Sequence, residues 1–70
     1  MTQTERIEKY MKDFGSITAL EAMKDLGIMR LSARIWDMKH EGMRIKTVSE
    51  KSTNRYGEPV HFFRYSFEEG

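Results

Sequence analysis

The chain has 70 residues, no cysteine, and twelve basic against eleven acidic side chains, for a net charge of +1. A chain this short buries only about 60% of its unfolded surface, so one domain (residues 1–70) with a marginal core and no deep substrate cleft is expected. Without cysteine there is no disulfide or thiolate metal site, and the expected setting is cytoplasmic; charges at Glu5, Arg6, Glu8 and Lys9 interrupt any signal-peptide-like apolar run, and none nears the roughly 20 residues that span a bilayer.

The first helix is predicted from Gln3 to Phe14. Thr2 is a good N-cap, and Glu5 three residues later completes a capping box. Ile7, Met11 and Phe14 fall at i, i+4 and i+7 and form its inward stripe, and Gly15 ends it. Ser16–Ile17 has room only for a two-residue strand added to a sheet. Thr18 and Glu21 form a second capping box and open a second helix. Ala19, Ala22, Met23 and Leu26 share one face of it. Gly27 suits the left-handed position after a helix, and Ile28 is placed under the turn.

The third helix is predicted from Arg30 to Glu41, with Gly42 as its stop. Leu31, Ile35 and Met38 face inward. Arg30, Ser32, Ala33, Trp36, Lys39 and His40 lie on the other side, with Arg34 towards the flank. After Gly42 the period changes from helical to alternating. Arg44–Val48 and the aromatic segment Val60–Phe67 read as strands. Between them, Glu50 to Pro59 is a polar loop longer than most hairpin loops, with Asn54 and Gly57 as turn residues and Tyr56 placed beneath its tip. Pro59 cannot donate to a ladder, which suits the start of a strand. Glu68, Glu69 and Gly70 are expected to fray.

Charge is unevenly distributed. From Arg30 to Arg55 there are seven basic and three acidic residues, net +4, while the remainder carries −3. Positive charge therefore gathers on the third helix and on the segment C-terminal to it, a modest footprint for a polyanion.

Two helices joined by a short glycine-containing turn form a helix-turn-helix. The Leu26-Gly27-Ile28 turn, the Leu31-Ser32-Ala33-Arg34-Ile35 start of the third helix, Gly42 before the first strand, and the Asn54-Arg55-Tyr56-Gly57 tip occur in that order. Across essentially its whole length the chain thus resembles a winged helix-turn-helix domain, in particular the small helix-turn-helix proteins of bacteriophages and prophages. The resemblance implies an α+β fold of three helices followed by a two-stranded β-hairpin wing. It also implies duplex DNA binding, as a transcriptional regulator or recombination accessory factor in a bacterial host cytoplasm.

On that arrangement the outer face of the third helix enters the major groove, and its first residues reach base edges. Arg30, Ser32 and Ala33 are the first candidates, followed by Arg34 and Trp36. Arginine can grip guanine O6 and N7, worth about 1–3 kcal/mol of discrimination. Arg34 has an alternative, an ion pair with Glu21 or Asp25 of the second helix. Trp36 can stack on the sugar-phosphate backbone, anchor a protein partner, or cover the hairpin edge. Lys39 and His40, late in the helix, suit phosphate contacts, and His40 also suits the helix dipole. Thr18 can hold a phosphate at a helix N-terminus or serve only as a cap. In the wing, Arg55 is the candidate for the minor groove, Lys51 for the backbone, and Asn54 for the tip. The strand aromatics Phe62, Phe63, Tyr65 and Phe67 are read as sheet core; a base-stacking platform would imply single-stranded nucleic acid.

No catalytic order of side chains, phosphate-binding glycine loop or metal-ligand cluster is present at a meaningful spacing, so no enzyme activity, cofactor or metal is expected. A monomer making about four to six phosphate contacts gives a log K against log salt slope of about −4 to −5. Such a small interface binds weakly alone, so a homodimer or a protein partner is expected. The rival reading is a protein-interaction module that presents the Trp36 surface.

Overall fold

The computed structural model describes residues 1–68, so the fraying expected of Glu69 and Gly70 lies outside them. Helix α1 spans Gln3–Phe14 and strand β1 spans Ile17–Thr18. Helix α2 opens with one α-helical turn, Ala19–Glu21, and continues as a π-helical turn, Ala22–Leu26. Helix α3 spans Leu31–His40, and strands β2 (Ile45–Thr53) and β3 (Pro59–Phe67) complete the order. The three strands form one antiparallel sheet in the order β1-β3-β2.

Both capping boxes form. Thr2 Oγ1 accepts from the Glu5 amide at 3.2 Å, and Thr18 Oγ1 accepts from the Glu21 amide at 3.2 Å. The Glu5 and Glu21 carboxylates return the bond to the Thr2 and Thr18 amides. The hydrogen bonds from Thr2 hold the Glu5 carboxyl below its ordinary pKa, because they favour the charged acceptor. Thr18 also ends β1, opposite Arg64 of β3, so α2 starts directly from the sheet edge. The short strand is one residue later than expected, at 17–18 rather than 16–17.

The core is Ile7 and Met11 of α1, Ile17, Ala22, Ile28, Leu31, Ile35 and Met38 of α3, and Ile45 of β2. Tyr10, Leu26, Met43, Tyr65 and Phe67 pack around it. Burying each large aliphatic side chain contributes about 1.5–3 kcal/mol, and this burial is what holds three short helices on a narrow sheet.

Several expectations about faces are corrected. Phe14 is 71% exposed, because α1 runs past the core and stops at Gly15, whose backbone is left-handed (φ 87°). Its ring stacks obliquely on Tyr10, with centroids 4.6 Å apart. Ala19 and Met23 are also exposed. The π turn is wider than an α turn, which breaks the 100° periodicity that aligned Met23 with Ala22 and Leu26. The same widening carries the cap bond from the Ile28 amide back to the Ala22 carbonyl, at 3.0 Å. Helix α3 is one residue shorter at each end than predicted: Arg30 and Glu41 are its flanking caps.

The hairpin is longer and its loop shorter than expected. Strands β2 and β3 pair continuously from Ile45 with Phe67 to Thr53 with Pro59, leaving only residues 54–58 as the tip. Asn54 explains the tight tip. Its Oδ1 accepts from the Tyr56 and Glu58 amides at 2.9 and 3.0 Å, and its amide donates to the Glu58 carbonyl. Tyr56 is 82% exposed rather than packed beneath the tip, since this turn leaves nothing under it.

Arg64, at the centre of the sheet, joins elements far apart in sequence. Its Nε donates to Glu50 of β2, its Nη1 donates to Ser16 Oγ at 3.1 Å, and Nη1 lies 3.7 Å from Glu21 of α2. The bond to Glu50 raises the Arg64 pKa further. Each pair is half-exposed and contributes at most about 1 kcal/mol, so its effect is registry of β1, α2 and β2 on β3.

Candidate nucleic-acid interface

The sequence dictates which side of α3 faces out. Leu31, Ile35 and Met38 point into the core at helical spacing, which leaves Ala33, Trp36, Asp37 and His40 on the opposite side. Trp36 is 59% exposed. The His40 ring stacks on it with centroids 3.7 Å apart, and His40 Nδ1 lies 3.2 Å from the Trp36 carbonyl oxygen. That oxygen only accepts, so the bond selects the tautomer with the proton on Nδ1.

The flanks of α3 differ. On the side of the α2–α3 turn, Arg30 and Arg34 line a cleft of about 280 Å³ with Gln3, Gly27 and Met29. Arg34 pairs with Asp37 on its own helix, Nη2 to Oδ2 at 3.2 Å, rather than with Glu21 or Asp25. Those two carboxylates are engaged elsewhere: Glu21 with Thr18 and Arg64, and Asp25 as acceptor from the Tyr10 hydroxyl at 2.7 Å. The Arg34 Nε is buried without a hydrogen-bond partner. Arg30 is exposed and makes no ion pair among the described residues.

On the hairpin side, Ser32, Trp36 and Lys39 face Thr47, Phe63 and Tyr65 across a groove of about 240 Å³ floored by Ile35. Sequence reasoning placed the three α3 residues at the interface but did not pair them with their strand partners, having read Phe63 and Tyr65 as sheet core, with one face partly exposed, in preference to a base-stacking platform. Phe63 is 52% exposed. The period-two spacing of His61, Phe63, Tyr65 and Phe67 was the available signal. It puts them on one face, and only Phe67 and Tyr65, nearest the core, are covered by it.

The remaining candidates are dispersed. Lys51 and Arg55 are exposed on the hairpin, and neither makes an ion pair among the described residues. Asn54 spends its side chain on the turn, its Nδ2 donating to Glu58 Oε1 at 3.2 Å. Thr18 is 6% exposed, with its hydroxyl engaged in the cap.

Three helices, the second and third joined by a tight left-handed glycine turn, lie against a sheet whose last two strands project as a hairpin. That is the architecture of a winged helix-turn-helix. The winged helix-turn-helix domain family matches residues 2–70, and the chain belongs to it. No curated protein and no solved structure matches the chain. Membership implies DNA binding in general terms, the family being typically a DNA-binding, non-enzymatic one. Among the described residues no helix is long and apolar enough to cross a membrane.

Proposed function

We propose that this protein binds duplex DNA with α3 in the major groove and the hairpin tip on the flanking backbone or minor groove. One observation carries the reading. Eight basic residues are exposed and form no ion pair among the described residues; six of them, Arg30, Lys39, Arg44, Lys46, Lys51 and Arg55, lie on or beside α3 and the hairpin, and the other two, Arg6 and Lys24, lie on α1 and α2. A guanidinium or ammonium without a carboxylate is free to replace a counterion on phosphate.

In this reading Arg30, Ser32, Ala33 and Arg34 meet base edges, Lys39 and His40 meet phosphates, and Arg55 reaches the minor groove. Thr18 and Asn54 act through the cap and the turn that position these groups. The role is that of a small phage or mobile-element regulator or recombination accessory factor in a bacterial cytoplasm. The short interface makes the protein work as a dimer or beside a partner.

A second reading, protein recognition through the Trp36 surface, is favoured by the exposure of Trp36 beside Phe63. Anisotropy of a labelled random duplex separates the two. In the DNA reading, Arg30→Glu with Lys39→Glu abolishes binding at about 50 mM salt. If the wild-type chain does not bind duplex even there, the DNA reading is lost and the Trp36 surface becomes the site.

A further inference from the structure

The groove between α3 and the hairpin has walls that reading of paired bases does not need. A base pair within a duplex offers proteins its edge, while its faces are covered by its neighbours. Here two aromatic rings stand in one groove, Trp36 from the helix and Phe63 from the sheet, each more than half exposed. An aromatic face left open on a marginal domain is matched by another flat π surface. In a nucleic acid that surface is available only on an unpaired base.

The electrostatics point the same way. Lys39 lines the groove, and Ser32, Thr47 and Tyr65 supply hydroxyl donors and acceptors; among the described residues no carboxylate lines it. Strand alternation extends this face along the hairpin. Thr47, Ser49 and Lys51 of β2 lie opposite Tyr65, Phe63 and His61 of β3, again without an acidic residue. Glu50 is on the reverse face, tied to Arg64. An aromatic floor with hydroxyls and a basic rim complements a nucleobase and its anionic backbone, and offers nothing to the basic groups of a protein surface.

We propose that this groove takes one unpaired nucleobase, stacked on the rings of Phe63 and Trp36, with Lys39 and Lys51 on the adjoining phosphates. Resting on the DNA reading above, this makes the preferred ligand a duplex that carries an extruded or unpaired nucleotide.

Trp36 is the only tryptophan of the chain, so its emission reports on the groove directly. Three ligands are compared: a perfect duplex, the same duplex with one unpaired thymine, and an oligothymidylate of roughly 10 nucleotides. The bulged duplex and the oligothymidylate are expected to quench Trp36. The bulged duplex should bind about 5- to 150-fold tighter than the perfect one, the range that stacking of one base provides. Phe63→Ala should abolish that preference and leave affinity for the perfect duplex unchanged, and Phe63→Tyr should retain the preference. Phe63 is half-exposed, and far-ultraviolet circular dichroism checks that the variants remain folded. Equal affinity for the two duplexes, or a Phe63→Ala loss shared by both, overturns the groove proposal while the duplex reading stands. Failure of all three ligands to bind overturns both.

Discussion

The salt dependence of DNA binding can be worked out by counting side chains. The four basic residues assigned to the DNA contact, Arg30, Lys39, Lys51 and Arg55, have no carboxylate partner among the described residues. If each neutralises one phosphate, log K falls against log salt with a slope of about −3.6, or about 150-fold between 50 and 200 mM. Replacing Arg30 and Lys39 by glutamine removes two of the four contacts. The slope should drop to about −1.8 and the loss over the same interval to about 12-fold. Lys12 supplies the control: its ammonium is held 3.0 Å from Glu8 on α1, and Lys12→Gln should leave the slope unchanged. Fluorescence anisotropy on one labelled duplex at five or so salt concentrations measures all three slopes. If Lys12→Gln flattens the slope as much as the paired substitution does, binding is a diffuse net-charge effect and the assignment of α3 as the contact surface is wrong.

Other expectations concern the scaffold. Met38 is fully buried, so Met38→Ala should cost about 2–5 kcal/mol in urea unfolding, much of the stability of a domain this size. A loss below about 1 kcal/mol would mean the site collapses around the cavity. Gly27 has φ 69° and open space where a Cβ would sit, so Gly27→Ala should cost about 1–2 kcal/mol from backbone strain alone. Gly27→Asn should restore part of that stability, because asparagine tolerates the left-handed region. The Tyr10 hydroxyl donates to Asp25, which pushes its pKa up from 10.0 to about 12. A raised folded-state value means this contribution is complete below about pH 10 and is lost as pH rises towards 12. Urea midpoints across that window should fall more in the wild type than in Tyr10→Phe. Equal falls would show that the Tyr10–Asp25 bond does not link α1 to α2 energetically.

The elements that local chemistry defines were legible in the chain. Thr2 with Glu5 and Thr18 with Glu21 read as capping boxes because donor and acceptor lie three residues apart. Gly15 and Gly27 read as helix stops because the left-handed backbone there favours glycine. The inward stripe of α3 was also plain, since Leu31, Ile35 and Met38 repeat at helical spacing. The length of the hairpin was not, because residues 49–53 and 59 look like a polar loop until each is paired across the sheet. Asn54 shortened that loop through bonds that exist only once the turn has closed.

Thus the order of elements, the turn between α2 and α3, and the gathering of basic residues on α3 and the hairpin were set by the sequence itself, through interactions spanning a few residues. Tertiary structure alone decided that Phe14 and Met23 face solvent, that Arg34 pairs with Asp37, and that Trp36 and Phe63 share a groove. It also decided the role of Arg64, which reaches Ser16 across 48 positions of chain. No local pattern encodes such a contact, because it depends on which strand occupies the centre of the sheet and how wide the last turn of α2 becomes.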